Sequence, residues 1–233
     1  MREVTDWEQV VCCVLAPTQE VFQALATQPN PASIQLACVP DASSLVTLVH
    51  ALDCDYVGLL DSGVRPGDPD WLKELAGYLE LSEGIGCVGG KVLGRHGEVH
   101  SGAFLLLDEL QTLNQTLPDE ASGYWFNNQL AHTVSAVSDC CLLTRKSAFL
   151  EAGGLDYGQF GPYACVDFCL RLAENGLRTV FTPWAKMILE HAQNWGDAGA
   201  HYRNLKTRHD ARFGNDPFYN PGFSQTRQFE LAQ

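Results

Sequence analysis

The stretch Tyr56-Val-Gly-Leu-Leu-Asp61-Ser-Gly63 places an apolar run directly before a carboxylate and a Ser-Gly turn. Apolar runs of this length that end in turn residues are typical of buried strands. Two similar runs precede it, at Val10 to Leu15 and at Ile34 to Val39, and segments with helical spacing separate the three runs. This alternation predicts a βαβαβ unit, whose parallel strands present their carboxyl ends, and here Asp61, to a ligand.

The pattern downstream of Asp61 predicts a continuation of the same α/β class. Gly89-Gly90 is expected to end one strand, and Pro183 to end another. Residues 108–133 have weak periodicity, which predicts a long excursion that is either mobile or a loop beside the cleft. The predicted elements are, in chain order, a helix over 70–81, a strand over 85–88, an apolar run over 103–107, a strand over 140–144, a helix over 147–151, a helix over 166–175 and a strand over 179–182.

Composition limits the class of protein. With 233 residues, 45% hydrophobic and 18% charged, the chain is expected to form one domain over residues 1–233. A formal net charge of -13 opposes binding to nucleic acid or to an anionic membrane surface. The start has no signal-peptide pattern and no stretch approaches a membrane span, so we expect a cytoplasmic protein without an integral membrane segment. Nine cysteines without a C-x-x-C predict reduced, packed thiols.

Four segments, in register over about 170 residues of the 233, carry a resemblance to a known family. They are Tyr56 to Val64 with Pro69-Asp-Trp-Leu downstream; Cys140-Cys-Leu-Leu-Thr-Arg to Gly153-Gly-Leu-Asp156; Val166-Asp167-Phe-Cys-Leu-Arg171 followed by Gly176, Thr182-Pro-Trp-Ala and His191; and Asp216-Pro-Phe-Tyr-Asn-Pro. Together they resemble the family 2 inverting glycosyltransferases of the GT-A fold, in particular the rhamnosyltransferase-like branch. The segments correspond to that family's DxD strand, its Gly-Gly-Phe-Asp turn, its Glu-Asp-x-Asp helix and its metal-side histidine.

The resemblance implies a fold, a reaction and its partners. The fold is a single GT-A nucleotide-diphospho-sugar transferase domain with a Rossmann-like, mostly parallel mixed sheet flanked by helices. Residues 1–100 would form the nucleotide-binding half, 101–190 the acceptor half and 191–233 a wrapping tail. The reaction is transfer of a sugar from a nucleotide-diphospho-sugar to a saccharide or glycolipid acceptor with inversion, in polysaccharide biosynthesis. A divalent Mn or Mg ion and a protein partner in a glycan-assembly complex are also implied.

The resemblance assigns roles to five residues. Asp61 and His191 would bind the metal, and Asp41 and Asp61 would bind the nucleotide. Asp167 and Asp156 would act on the acceptor side as catalytic residues. Carboxylates suit these tasks because the departing diphosphate needs a cation held by hard oxygen ligands, and inversion needs a base beside the acceptor hydroxyl.

Two positions depart from the family pattern. Gly63 stands where the last carboxylate of DxD belongs, and Cys165 stands where the family has its presumed base. A thiol with a reference pKa near 8.5 accepts protons poorly at neutral pH. A second hypothesis therefore stands beside the enzyme: a catalytically degraded transferase-like module for binding or assembly.

Each candidate residue also has a structural interpretation. Asp61 and Asp156 could close turns, Asp41 and Asp167 could stabilise helix N-termini, and His191 could simply be hydrogen-bonded. The sequence leaves these alternatives open. Further candidates for the cleft are His100, Arg171 and Trp195.

Overall fold

The computed structural model describes residues 10–15, 35–39, 45–61, 63–191 and 198–232. Strands β1 (Val10–Leu15), β2 (Gln35–Val39) and β3 (Tyr56–Asp61) pair in parallel in the order β2-β1-β3, and helix α1 (Leu45–Ala51) precedes β3. The predicted parallel arrangement of the three runs is confirmed. Asp61 lies at the carboxyl end of β3.

The remaining elements extend this unit into a mixed sheet with helices on its faces. Its order is β2-β1-β3-β11-β5-β12-β4, with β6 paired to β5 and β9 to β12, and the expected α/β class is confirmed. The elements are β4 (Val64–Pro66), α2 (Trp71–Leu81), β5 (Ile85–Leu93), β6 (Val99–Ser101), β7 (Ala103–Leu106), β8 (Leu110–Thr112), β9 (His132–Val134), β10 (Ala136–Val137), β11 (Cys141–Arg145), α3 (Lys146–Glu151), α4 (Tyr157–Phe160), α5 (Ala164–Glu174), β12 (Arg178–Leu189) and α6 (Gly199–Arg208).

Two apolar cores flank the sheet. On one face α2 buries Trp71, Leu72 and Leu75, at the i, i+1, i+4 spacing of a helix face, against a cluster that includes Val88 and Met187. The other core joins α1, α3 and α5 to a small three-stranded sheet, β10-β7-β8.

The prediction that Gly89-Gly90 ends a strand is wrong, because β5 runs through both glycines to Leu93. A Cβ on Gly89 would lie 2.4 Å from Cβ of Val137, and one on Gly90 would lie 2.4 Å from the carbonyl oxygen of Ala185. The glycines therefore permit close packing against β5 and do not form a turn.

The prediction that Pro183 ends a strand is also wrong. Strand β12 continues to Leu189, with an irregularity in which residues 182–185 lie opposite Gly90 of β5. A bulge accommodates proline because its residues leave the regular hydrogen-bond ladder. The continuation carries β12 to the carboxyl end of β3.

The excursion over residues 108–133 is packed onto the sheet. Lys91 of β5 is fully buried, and its Nζ donates to Asp119 Oδ1 at 2.9 Å and to the Asn128 carbonyl oxygen at 2.7 Å. Lys186 of β12 donates to the other oxygen of Asp119 at 2.6 Å. Burial lowers the pKa of Lys91, and the two ammonium groups hold the pKa of Asp119 below its usual range although burial opposes them.

The C-terminal segment is fastened to the same body. Asp216 accepts from the Leu106 amide at 2.9 Å and from the Ser135 hydroxyl at 2.9 Å. Across the described ranges, no helix combines the length and the apolar character that a bilayer span requires.

Candidate functional site

Asp61 closes a tight turn at the carboxyl end of β3. Its Oδ1 accepts from the Gly63 amide at 2.6 Å, which is the interaction of an Asx turn. The carbonyl oxygen of Gly63 in turn accepts from the amides of Glu190 at 2.8 Å and His191 at 3.3 Å. Hydrogen bonds through Gly63 therefore connect the Asp61 side chain to the backbone of His191, so the two predicted metal-side residues lie close together.

Position 63 is closed to a side chain. A Cβ built on Gly63 would lie 1.9 Å from the carbonyl oxygen of His191. A second DxD carboxylate at this place would require the end of β12 to move. The absence of a carboxylate at position 63 is thus what allows the backbone of His191 to approach so closely.

His191 is exposed at the edge of a cavity of about 390 Å³. Arg65 Nε contacts Glu190 Oε1 at 2.9 Å, and Arg95 donates to the Glu190 carbonyl oxygen, so two cations stabilise this edge. The cavity also contains His100, a cleft candidate from the sequence. Its lining residues are Gly94, Arg95, His96, Glu98, His100, Leu189, Glu190 and His191.

The donor set at this edge fits a metal ion only in part. Within the described ranges, no group of three or more His, Cys, Asp or Glu side chains is arranged to hold one. Asp61 and His191 supply two ligand types that Mn or Mg accepts, and such ions often take their remaining ligands from substrate phosphates and water. The residues therefore fit an ion held jointly with a diphosphate and do not form a complete protein cage.

Asp139 is a carboxylate at this site that the sequence analysis missed. It lies two residues before the start of β11, which pairs antiparallel with β3 so that Cys141 lies opposite Leu60. The start of β11 therefore meets the end of β3, and the Asp61 amide donates to the Cys140 carbonyl oxygen at 3.4 Å. The strand at 140–144 was predicted, but the antiparallel pairing that places Cys140 opposite Asp61, and so brings Asp139 to the same edge, has no signal in the local pattern.

The carboxylate of Asp139 is partly withdrawn from water and interacts with Tyr157 and Asp61. Burial raises the pKa of Asp139 to about 6, the Tyr157 hydrogen bond opposes this shift, and the negative charge of Asp61 adds to it. The Tyr157 hydroxyl donates to Asp139 Oδ2 at 2.7 Å. Burial and the Asp139 charge raise the pKa of Tyr157 well above its usual range, so its hydroxyl remains a proton donor.

Cys165 lies in the first turn of α5, close to Asp139. It is 2% exposed, and burial together with its neighbours Cys169 and Asp139 raises the pKa of its thiol well above the usual value. A thiol in this environment stays neutral. Its contacts are those of a packed core residue.

Asp167, predicted as catalytic, is fully buried in a cluster of cationic and imidazole groups. Its Oδ2 accepts from Arg171 Nε at 2.8 Å, and its Oδ1 lies 2.8 Å from His209 Nε2 and 3.3 Å from Arg208 Nε. Although burial opposes ionisation, these partners hold the pKa of Asp167 below its usual range. Arg171 also donates to the Gly154 carbonyl oxygen at 2.5 Å, so the cluster links α5, α6 and the Gly-Gly turn.

Asp156, the other predicted catalytic residue, is exposed at the N-terminus of α4. Its Oδ1 accepts from the Gln159 amide at 2.9 Å, so it caps this short helix. Asp156 and Asp167 therefore make their hydrogen bonds in two separate local groups, the cap of α4 and the cluster with Arg171 and His209. Asp41 and Trp195 lie outside the described residues.

No protein-family model matches the chain. An uncharacterized protein, y4gI of Sinorhizobium fredii (strain NBRC 101917 / NGR234), is 29% identical over 185 residues, which cover 74% of this chain and 20% of that protein. The chain thus spans about a fifth of the length of the curated relative that it matches.

Two solved structures of similar fold are glycosyltransferases. GalNAc-T7 with UDP, GalNAc and Mn²⁺ matches with a TM-score of 0.54 and 10% identity, over 84% of this chain and 47% of that one. The mannosyltransferase PcManGT from Pyrobaculum calidifontis, in complex with GDP-Man and Mn²⁺, matches with a TM-score of 0.50 and 12% identity, over 83% and 59%. The chain has the GT-A glycosyltransferase fold.

Proposed function

We propose that this chain transfers a sugar from a nucleotide-diphospho-sugar to an acceptor hydroxyl. The observation that carries the proposal is the meeting of Asp61 and His191 at the carboxyl edge of a GT-A sheet, where this class of sheet binds ligands. The two solved relatives, which hold UDP with GalNAc or GDP-Man together with Mn²⁺, support the choice of donor class. The finer proposal is a family 2, inverting, rhamnosyltransferase-like enzyme that acts on a saccharide or glycolipid acceptor.

The proposed roles of the residues combine the resemblance with the described site. Asp61 and His191 are the proposed ligands of a Mn or Mg ion, and Asp61 and Asp41 are the proposed nucleotide-binding residues, Asp41 on the resemblance alone. When bound, the ion neutralises the negative charge that develops on the departing diphosphate. Asp156 is exposed on the acceptor-side turn, and we propose that it contacts the acceptor.

Asp167 is proposed to position the acceptor-side elements and not to accept the proton. Both of its oxygens are engaged by Arg171, His209 and Arg208. A carboxylate whose pKa is lowered by such partners is a weak base, and proton transfer to it would break the cluster that joins α5 to α6.

The second candidate function is a non-catalytic module that binds a sugar nucleotide or assembles with an active partner of a glycan-assembly complex. The observation in its favour is position 63, where the backbone of His191 occupies the space of the missing carboxylate. Under this alternative nucleotide binding persists without dependence on metal.

A thermal-shift screen tests the proposal and separates the two functions. The probes are UDP, GDP, TDP and their sugars, each with and without Mn²⁺. We expect one nucleotide to raise the unfolding temperature in a Mn-dependent manner, because a ligand at one hundred times its Kd adds about 2.7 kcal/mol to stability. A shift that ignores Mn²⁺ would favour the binding module, and no shift with any probe would contradict both.

A further inference from the structure

The acceptor side of the cleft lacks the base that the family pattern supplies. Cys165, at that position, is a buried thiol beside Cys169, and its raised pKa keeps it neutral. Asp167, the remaining carboxylate of the motif, is fully buried and bonded to Arg171 and His209. A transferase reaction at this site needs a proton acceptor from another element.

Asp139 lies in the region that a base must occupy. Its backbone precedes β11, whose first residues pair with the last residues of β3, so it sits at the edge that carries Asp61. The charge of Asp61 raises the pKa of Asp139, and the charge of Asp139 raises the pKa of Cys165, so the carboxylate lies near both residues. Asp139 is half-buried, so its carboxylate is partly withdrawn from water while it retains an open side.

The side chain of Asp139 is also held in one orientation. The Tyr157 hydroxyl donates to its Oδ2 at 2.7 Å, and Tyr157 is 6% exposed in the core beneath. A carboxylate has about four acceptor sites on its two oxygens, so the hydrogen bonds from Tyr157 and from the backbone amide of Asp139 itself leave capacity for a substrate hydroxyl. An oriented carboxylate with a buried hydrogen-bond donor behind it is the arrangement that general bases use.

We propose that Asp139 is the general base of the transfer reaction, in place of the family's carboxylate at position 165. This inference rests on the proposed function. As the acceptor oxygen forms its bond to the anomeric carbon, the acceptor proton moves to the Asp139 carboxylate. The bond between the anomeric carbon and the phosphate oxygen breaks, and its electron pair leaves with the nucleoside diphosphate. Tyr157 is a positioning residue, because it acts through Asp139.

The test compares Asp139→Asn with wild type for two separate quantities. The first is the Kd of the nucleoside diphosphate selected from UDP, GDP and TDP, measured by calorimetry with Mn²⁺. The second is kcat for release of that nucleotide from its sugar, with water as the acceptor, since water also needs a base. Asparagine retains an acceptor for the Tyr157 hydroxyl, so the local fold is preserved, and circular dichroism checks it.

We expect Asp139→Asn to lower kcat about 100-fold or more while the Kd changes less than about threefold. The matched control is Asp70→Asn, which neutralises an exposed carboxylate before α2, outside the cleft, and keeps the wild-type kcat. Tyr157→Phe should lower kcat by a smaller factor with an unchanged Kd. Restoration of part of the rate by Asp139→Glu would add support.

Three outcomes would overturn the inference, and they differ in what they say about the proposed function. An Asp139→Asn variant with more than about a third of the wild-type kcat removes Asp139 as the base and leaves the transferase intact. If the wild-type chain binds the nucleotide but releases none from its sugar, the assignment of Asp139 as a base is refuted and the binding module is favoured. A wild-type chain that binds no nucleotide refutes the proposed function and the inference together.

Discussion

Gly63 shows how a single residue determines the shape of the cleft. Its missing side chain lets the carbonyl oxygen of His191 approach to a place 1.9 Å from where a Cβ would stand. We predict that Gly63→Ala and Gly63→Asp each destabilise the fold by about 1–3 kcal/mol, because either requires the backbone at 191 to move. Urea unfolding measures this.

The control for this pair is Gly77→Ala on the exposed face of α2, where a Cβ meets nothing within 4 Å. It should stabilise the chain by up to about 1 kcal/mol, the helix propensity gain. If Gly63→Asp were as stable as wild type and bound Mn²⁺ more tightly, the account of position 63 would be wrong.

The carboxylate of Asp139 makes the stability of the protein depend on pH. Because burial raises its pKa to about 6, the folded state binds this proton more tightly than the unfolded state does. Stability is therefore lost as pH rises from about 4 to about 6, and the full penalty remains above that range. Asp139→Asn should stabilise the protein at pH 8 by about 1–3 kcal/mol and have little effect at pH 4.5.

Thermal unfolding of both proteins at the two pH values measures this difference. If Asp139→Asn changed the unfolding temperature equally at pH 4.5 and pH 8, the Asp139 carboxylate would not be desolvated. A stabilising substitution that abolishes turnover would identify Asp139 as a residue kept for function at the expense of stability.

The family resemblance, and not the residue pattern, assigned Asp61 and His191 to one site, and nothing in the sequence pointed to Asp139. The pattern ended the last strand at Pro183, whereas β12 runs to Leu189 and brings His191 to the Asp61 turn. Asp139 reaches the same edge of the sheet through an antiparallel pairing between β11 and β3, which depends on long-range register. The sequence also did not predict the cluster around Asp167, because its partners Arg208 and His209 lie at a helix end that is distant in sequence.

At the scale of elements, a buried ion cluster fixes the excursion over residues 108–133. Asp119 joins the fully buried Lys91 to Lys186, whose side chain is 34% exposed. We predict that Asp119→Asn lowers the free energy of unfolding by about 3–5 kcal/mol, because it leaves the Lys91 charge buried without its counter-ion. Lys186→Met should change it by only about 0–1 kcal/mol.

Urea unfolding gives both values, and limited proteolysis reports whether the excursion opens first. The interpretation fails if the two variants lose similar stability, because the buried ammonium would then not depend on Asp119.

Element boundaries were predictable where local chemistry and tertiary packing agree. Helix α2 starts after Asp70 and ends at Leu81, as its apolar spacing predicts. Gly89-Gly90 and Pro183 misled the prediction because their local preferences favour turns, whereas close contacts with Val137 and Ala185 and a bulge keep them in strands. Helix α6 gave no clear signal, since it buries only Leu205 among its ten residues.

At the scale of the whole molecule, Asp167 ties the C-terminal helix to the body of the fold. Its cluster with Arg171, Arg208 and His209 joins α5 and α6. We predict that Asp167→Asn lowers the free energy of unfolding by about 3 kcal/mol or more, since it removes the buried negative charge that pairs with Arg171. Thermal unfolding and nucleotide affinity are the two readouts.

The folded Asp167→Asn variant should keep its nucleotide affinity, because the hydrogen bonds of the cluster join α5, α6 and the Gly-Gly turn, which are not part of the Asp61 turn. A variant with wild-type stability and a lost kcat would instead return Asp167 to the catalytic role that the resemblance assigns.

Alternating apolar runs were sufficient to predict the α/β class, because they specify the layers. The GT-A fold was implied by the resemblance of four sequence segments to a known family and not by the apolar runs. Function requires more, since one fold supports many activities. The two structurally similar glycosyltransferases hold nucleotides and Mn²⁺, whereas this chain has Gly63 where the resemblance expects a carboxylate and carries a formal charge of -13. The proposed function therefore requires that attraction of an anionic donor come from a cation held locally at Asp61 and His191.

The most direct test of the transferase account is calorimetric titration of wild type and Asp61→Ala with the nucleoside diphosphate chosen by the thermal screen, with and without Mn²⁺. We predict Mn-dependent binding to wild type and at least tenfold weaker binding to Asp61→Ala, a loss of about 1.4 kcal/mol or more. Equal affinity of the two proteins, or binding that ignores Mn²⁺, would contradict the account.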